Sequence, residues 1–172
     1  MGAETVVRRA DPADAGAIAR IHVAAWRLAY REFLPPETLA RLSTRDRKRY
    51  WREALGSGTG RYLTLVAERA GVLLGFSTIA MRSTAGHEAE ITAIYVDPPN
   101  WRQGVGTVLL AASLEQARAA DADTAVLWVF ERNRPAQELY KDFGFAADGE
   151  TMHHDSGQIA LRMSAALDCH PA

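Results

Sequence analysis

Apolar positions along this chain recur with two different periods, and the switches between them lay out the elements. Ile18, His22, Ala25, Trp26, Ala29 and Phe33 fall three and four residues apart, which predicts a helix with one apolar face running to about Tyr30. Asp11-Pro12 offers it an N-cap and a first-turn proline, and Pro35-Pro36 break it. Glu37 to Leu42 predicts a short helix, and Arg45 to Leu55 a strongly charged one whose apolar contacts are Tyr50 and Trp51. Thr5 to Arg9 predicts a short strand ahead of all three. After the flexible Gly56-Ser57-Gly58-Thr59-Gly60 turn, Arg61 to Glu68 and Val72 to Met81 predict a hairpin turning at Arg69-Ala70-Gly71, with Ser83 to His87 as the next loop.

The stretch from Glu90 to Ala111 combines both periods. Ile91, Ala93, Ile94, Tyr95 and Val96 form a β-branched and aromatic run that predicts a strand. Asp97-Pro98-Pro99-Asn100 stops it, since proline has no N–H for a ladder and Asp and Asn favour turns. Gly104 and Gly106 then lead into Val108, Leu109, Leu110, Leu114 and Ala117, apolar at helical spacing, for a helix from Gly104 to Ala119. Strand Ala125–Phe130, helix Arg134–Phe143 and a last pair near Phe145–Met152 and Gln158–Ser164 follow. The succession predicts a mixed α/β sheet in a single domain over residues 1–172.

A glycine loop feeding a helix N-terminus turns unpaired backbone N–H groups toward one point, where the helix dipole adds partial positive charge. Phosphate or pyrophosphate suits such a point, although a tight strand-to-helix turn has the same appearance. The loop lacks the Gly-Lys-Ser/Thr ending of a nucleotide P-loop. It also has Leu109 where the third glycine of a dinucleotide fingerprint would stand.

Charge adds little. Lys plus Arg is 20, Asp plus Glu is 21 and the net charge is −1, which gives no electrostatic case for nucleic acid or an anionic membrane. Cys169 is the single cysteine, so no internal disulfide is expected, and no Cys/His spacing suggests a metal. No apolar run has membrane-spanning length, MGAETVVRRA lacks a signal-peptide core, and Val6 stands where myristoylation wants Ser or Thr. A soluble, cytoplasmic protein is expected.

Strand, Asp-Pro turn, glycine loop and helix together resemble the acetyl-CoA signature of the GNAT superfamily of N-acetyltransferases. The family pattern Arg/Gln-x-x-Gly-x-Gly/Ala falls on Trp101, Arg102, Gln103, Gly104, Val105 and Gly106, with Trp101 departing from the usual Arg or Gln. Asn133 to Phe145 resembles a second family block, Asn-x-x-Ala-x-x-x-Tyr-x-x-x-Gly-Phe. The resemblance covers about residues 4 to 164. It implies the GNAT (acyl-CoA N-acyltransferase) fold, a mixed, mostly antiparallel sheet of about seven strands flanked by about four helices.

It also implies roles. Backbone groups of Ile94, Tyr95 and Val96 would meet the pantetheine arm and the thioester, and those of Arg102, Gln103, Gly104, Val105, Gly106 and Thr107 the pyrophosphate. Asn133 and Ala136 would contact the cofactor arm, Asn133 also being a candidate N-cap. Tyr140 would stand near the sulfur and give the departing thiolate a proton. Glu90 lies ahead of Trp101 at the spacing of the glutamate base of histone-type members. A carboxylate on an apolar strand suits that task, and an ion pair with a basic neighbour is the other reading. Glu88 shares its strand face. His87 is a neighbour, His153 and His154 near the final strand pair are further candidates, and Asp97 reads as a turn residue.

Trp26, Tyr30 and Phe33 would border the acceptor, and core packing explains the same stripe, as it does His22. The expected activity is transfer of an acetyl group from acetyl-CoA to a primary amine of a small or amino acid-like compound, without metal. A protein N-terminal or lysine acetylase and a non-catalytic acyl-CoA-binding domain are the alternatives. A homodimer pairing through the last strand would agree with the family's habit.

Overall fold

A computed structural model describes residues 4–58, 60–82 and 87–167. Cys169 and most of the predicted Ser83–His87 loop lie outside the described residues. Seven strands and five helices occur in the order β1 (Val6–Arg9), α1 (Ala15–Ala29), α2 (Pro36–Ala40), α3 (Thr44–Gly56), β2 (Tyr62–Arg69), β3 (Val72–Arg82), β4 (Glu88–Val96), α4 (Val105–Ala119), β5 (Thr124–Phe130), α5 (Arg134–Asp142), β6 (Ala146–His153) and β7 (Ile159–Ala166). The strands form one sheet, β1-β2-β3-β4-β5-β7-β6, in which only β4 and β5 run parallel. No helix among the described residues is long and apolar enough to cross a membrane.

The N-terminal signals act locally as read, with one displacement. Asp11 accepts from the Ala13 N–H, and Asp14 accepts from the Asp11 N–H, so the capping box closes on a 3-10 turn, Pro12–Asp14, that precedes α1. Arg8 grips both Asp14 oxygens at 2.8 and 2.9 Å and also reaches Glu68 at 2.9 Å. That bidentate pair holds the Asp14 carboxyl below its ordinary range.

Two helical layers cover the sheet. Ile18, Ile21 and Trp51 from α1 and α3 pack on Val66 and Phe76. On α4, Val105 and Leu109 pack against Leu74 and Ala67, while Leu110 and Leu114 join the larger core with Ile79, Ile91 and Leu127. Ser77 and Ser113, both fully buried, share a 2.8 Å hydrogen bond that ties β3 to α4.

Two irregularities in β4 make the site. Thr78 pairs with Ala93 but Ile79 with Ile91, so Thr92 is an extra residue that resets the alternation. Glu88, Glu90, Ala93 and Tyr95 consequently share one face despite their odd spacing. Then β4 and β5 pair only from Glu88–Thr124 to Ile91–Leu127. Beyond Ile91 the two strands splay, because β5 continues along β7 while β4 continues along β3.

The expected dimer strand is placed differently. β7 has both edges bonded, to β5 and β6, so the free sheet edges belong to β1 and to β6, whose residues are all exposed.

Candidate active site

Where β4 and β5 part, a cleft of about 1060 Å³ opens, bounded by Thr92–Val96 on one side, Leu127–Phe130 on the other, and the start of α4 below. Backbone polarity follows from the register. The Asp97 N–H donates to Leu74 at 2.7 Å, so alternate residues Tyr95 and Ala93 also face β3. Ile94 and Val96 turn their N–H and C=O groups the other way, toward the gap left by β5. Trp101 uses this: its indole N–H donates to the Val96 carbonyl at 2.8 Å. The residue that departs from the family pattern therefore braces the strand against the loop.

The loop itself is shaped by two left-handed residues, Arg102 at φ 59° and Gly104 at φ 79°. Gly104 is the N-cap of α4 and has no side chain to cap with, so the N–H groups of Val105, Gly106 and Thr107 remain open at the helix start. Gly106 is needed for a different reason. A Cβ there would lie 3.2 Å from Leu139 of α5. Gln103 turns its side chain away, donating to Pro99 at 3.0 Å and accepting from Arg69 at 3.4 Å, so only its backbone is offered to a ligand. Arg102 lines the cleft, and its guanidinium has no hydrogen-bond or ion-pair partner among the described residues.

The second block supplies the opposite wall. Asn133 caps α5, its side chain accepting from the Ala136 N–H at 3.4 Å, and both residues line the cleft. Tyr140 follows one and two turns further on the same face, buried at 7% exposure. Gln137, which sequence reasoning passed over, is buried and donates to the carbonyls of Phe130 and Glu131 at 3.2 and 2.8 Å, fixing α5 to the end of β5.

Three tyrosines meet here from three elements. Burial raises the Tyr140 hydroxyl, with Tyr95 adding to it, and burial likewise raises Tyr95. Tyr30 is pushed well above its ordinary value by burial and by Tyr95 and Tyr140 beside it. All three remain protonated O–H groups at neutral pH. The Trp26 indole N–H is buried close to the Tyr95 hydroxyl, yet the geometry falls short of a hydrogen bond and it has no partner among the described residues.

The predicted acceptor stripe is both core and lining. Trp26 meets Tyr30 edge-on at 4.9 Å, Tyr30 meets Phe33 at 5.4 Å and Phe130 at 5.2 Å, and Phe130 meets His154 at 5.4 Å. His154, not its neighbour His153, lines the cleft together with Met152, as the alternation of an extended segment places residues 152 and 154 on one side and 153 on the other. His22 is structural: its Nδ1 accepts from Trp51 and its ring stacks on Tyr95 at 5.0 Å.

The carboxylates sit elsewhere. Glu88 is held by Arg162 at 2.6 Å, and Arg162 also grips Asp148 at 2.8 Å, so Glu88 anchors the sheet and does not line the cleft. Glu90 pairs across to Ala80 and Val126 and does not line the cleft either. Ile94 lies four positions further on, at most about 13 Å along a strand that the extra residue Thr92 shortens. No group of three or more metal-ligating side chains occurs among the described residues.

Comparison with known proteins agrees with this geometry. The family model described as acetyltransferase (GNAT) family matches residues 22–145. The chain is similar to the uncharacterized N-acetyltransferase YuaI of Bacillus subtilis (strain 168), 30% identical over 90% of this chain and 85% of that one. It is 35% identical to the mycothiol acetyltransferase of Acidimicrobium ferrooxidans, over 59% of this chain but only 32% of that relative. Among solved structures, yncA of Salmonella typhimurium with its cofactor acetyl-CoA superposes with a TM-score of 0.71 at 25% identity, over 98% of this chain and 97% of that one. The chain belongs to the acetyltransferase (GNAT) family, and it is an acetyl-CoA-dependent N-acetyltransferase.

Proposed function

We propose that the acceptor is a primary amine on a small, amino acid-like molecule, acetylated by direct transfer through a tetrahedral intermediate. The observation that supports a small acceptor is the ring chain from Trp26 through Tyr30 and Phe130 to His154, which walls the far end of the cleft with contacts of 4.9 to 5.4 Å. A peptide would need an open groove there.

In this reading the pyrophosphate sits on the open N–H groups from Gly104 to Thr107, with Arg102 beside it. The pantetheine arm pairs with Ile94 and Val96 as an added strand, which leaves the thioester between β4 and Tyr140. The neutral amine attacks the carbonyl carbon, forming the C–N bond and an oxyanion that a fixed strand N–H stabilises. Collapse breaks the C–S bond. The thiolate takes the Tyr140 proton, and the proton given up by the amine restores the tyrosine through solvent. Burial raises the proton affinity of the phenol and of a thiolate in the same surroundings together, so transfer between them stays balanced. Glu90 acts as base only through a water chain, given its distance along β4. A second copy would add at the β6 edge.

The test is thiol release from acetyl-CoA across amino acids, polyamines, aminoglycosides and short peptides, with Tyr140→Phe beside the native protein. One small-amine class should turn over, and Tyr140→Phe should lose roughly a hundred-fold in kcat while still binding acetyl-CoA by calorimetry. Turnover with peptides alone would replace the small-molecule acceptor by a protein one.

A further inference from the structure

A second cavity, of about 570 Å³, lies between α1, α3 and the strands β2 to β4. Its charge is one-sided. Arg9 and Arg47 line it, and among the described residues no Asp or Glu does. Neighbouring Arg8 shows what is missing, for it engages both Asp14 and Glu68. By contrast, the guanidinium groups of Arg9 and Arg47 have no ion-pair or hydrogen-bond partner among the described residues. Arg47 is half-buried, and its backbone N–H ties the first turn of α3 to the Ser43 carbonyl at 3.0 Å. A partly desolvated guanidinium without a counter-ion is an incomplete pair.

Trp51, Tyr95 and the His22 ring supply aromatic walls, with Ser57, Thr64, Thr78 and Thr92 as the uncharged polar lining. Because His22 Nδ1 accepts from Trp51, the neutral ring carries its proton on Nε2, a further donor. Cations without carboxylates, set against flat aromatic rings, match a carboxylate on a short apolar body. Trp26, Thr92, Ala93 and Tyr95 line this cavity and the cofactor cleft alike, so a ligand here abuts the transfer site.

We propose that the second cavity binds a small organic carboxylate, its acid group on Arg47 with Arg9 beside it and its apolar body against Trp51 and Tyr95. Two sources share this chemistry, the acid group of the acceptor itself or a separate effector. Calorimetry on the protein without acetyl-CoA decides the binding, using phenylacetate and its uncharged isostere phenylacetamide. Native protein should take phenylacetate at least roughly ten-fold more tightly than the amide, the usual size of one charge-assisted hydrogen bond. Arg47→Gln should erase the difference, and Arg9→Gln should reduce it. Gln is well tolerated at Arg47 on α3, and circular dichroism checks the folding of both variants.

Equal affinity for the two probes, or a difference that survives Arg47→Gln, would overturn the proposal. The source is then read from kinetics with phenylalanine and phenylalaninamide. A KM raised by Arg47→Gln for the acid alone marks the acceptor. Unchanged KM values, with a rate that responds to added phenylacetate, mark an effector. The calorimetry needs no turnover, so a failed acetylation assay bears on the transfer reading and leaves this one to its own result.

Discussion

The indole N–H of Trp51 on α3 donates to Nδ1 of His22 on α1 at 3.3 Å, joining two helices through a buried imidazole. A protonated ring could not accept that bond. Burial, and secondarily Arg47, holds the His22 pKa down to about 4 against its ordinary 6.5. Above pH 6.5 the ring is neutral in both folded and unfolded chains and costs nothing. Below it the unfolded chain binds the proton first, so stability falls between pH 6.5 and about 4, by roughly 3 kcal/mol at most. Urea unfolding at pH 7 and pH 4.5 should show the loss, and His22→Gln should flatten it. A slope that persists in His22→Gln would assign the loss to other groups.

Gly104 and Gly106 fail differently when replaced by alanine. At Gly104 nothing stands within 4 Å of an added Cβ, so only the φ of 79° opposes it, at about 1 to 2 kcal/mol. Acetyl-CoA affinity should fall with stability as the loop relaxes. At Gly106 the φ is ordinary and the obstacle is Leu139 at 3.2 Å, the flexible end of a side chain. Gly106→Ala should leave the melting temperature within a few degrees and weaken acetyl-CoA binding several-fold, because the methyl crowds the open N–H groups. The pair of melting curves and calorimetric titrations separates strain from crowding.

Gly75 is a stricter case. A Cβ there would lie 2.8 Å from the Tyr95 carbonyl, a backbone atom fixed in the β3–β4 ladder. Gly75→Ala must push the strands apart, so about 2 kcal/mol or more of destabilisation is expected. Tyr95 would move with its carbonyl, so kcat should also fall. Denaturant unfolding with steady-state kinetics checks both, and an unaltered protein would contradict the stated contact.

Periodicity and turn chemistry made the elements of this fold legible. Pro35-Pro36, Asp97-Pro98 and Gly104 each act at their own position and need no distant partner. The family blocks located Tyr140, Asn133 and the loop for the same reason, being contiguous in sequence. What escaped was carried by distant partners. The extra residue Thr92 shows only in the pairing with β3, and the claim of Arg162 on Glu88 spans 74 residues. Of the two candidate histidines, which one faces the cleft depends on the side that Met152 takes in its pairing with Ala160. Which strands end the sheet was hidden as well, because strand order in a sheet is not strand order in the chain.

Glu90 is the carboxylate candidate for the base, and its position sets what its removal does. A base touching the amine contributes a factor of roughly a hundred or more. One acting through waters over about 13 Å of strand contributes less, so Glu90→Gln should lower kcat/KM by about ten-fold. The loss should be greatest at low pH, where the acceptor amine still carries its proton, and should shrink as solution hydroxide takes over. The pH–rate profiles of native and Glu90→Gln protein with one acceptor make the comparison. Parallel profiles would remove Glu90 from the proton path and leave the task to ordered water, with Tyr140 as the one protein group that moves a proton.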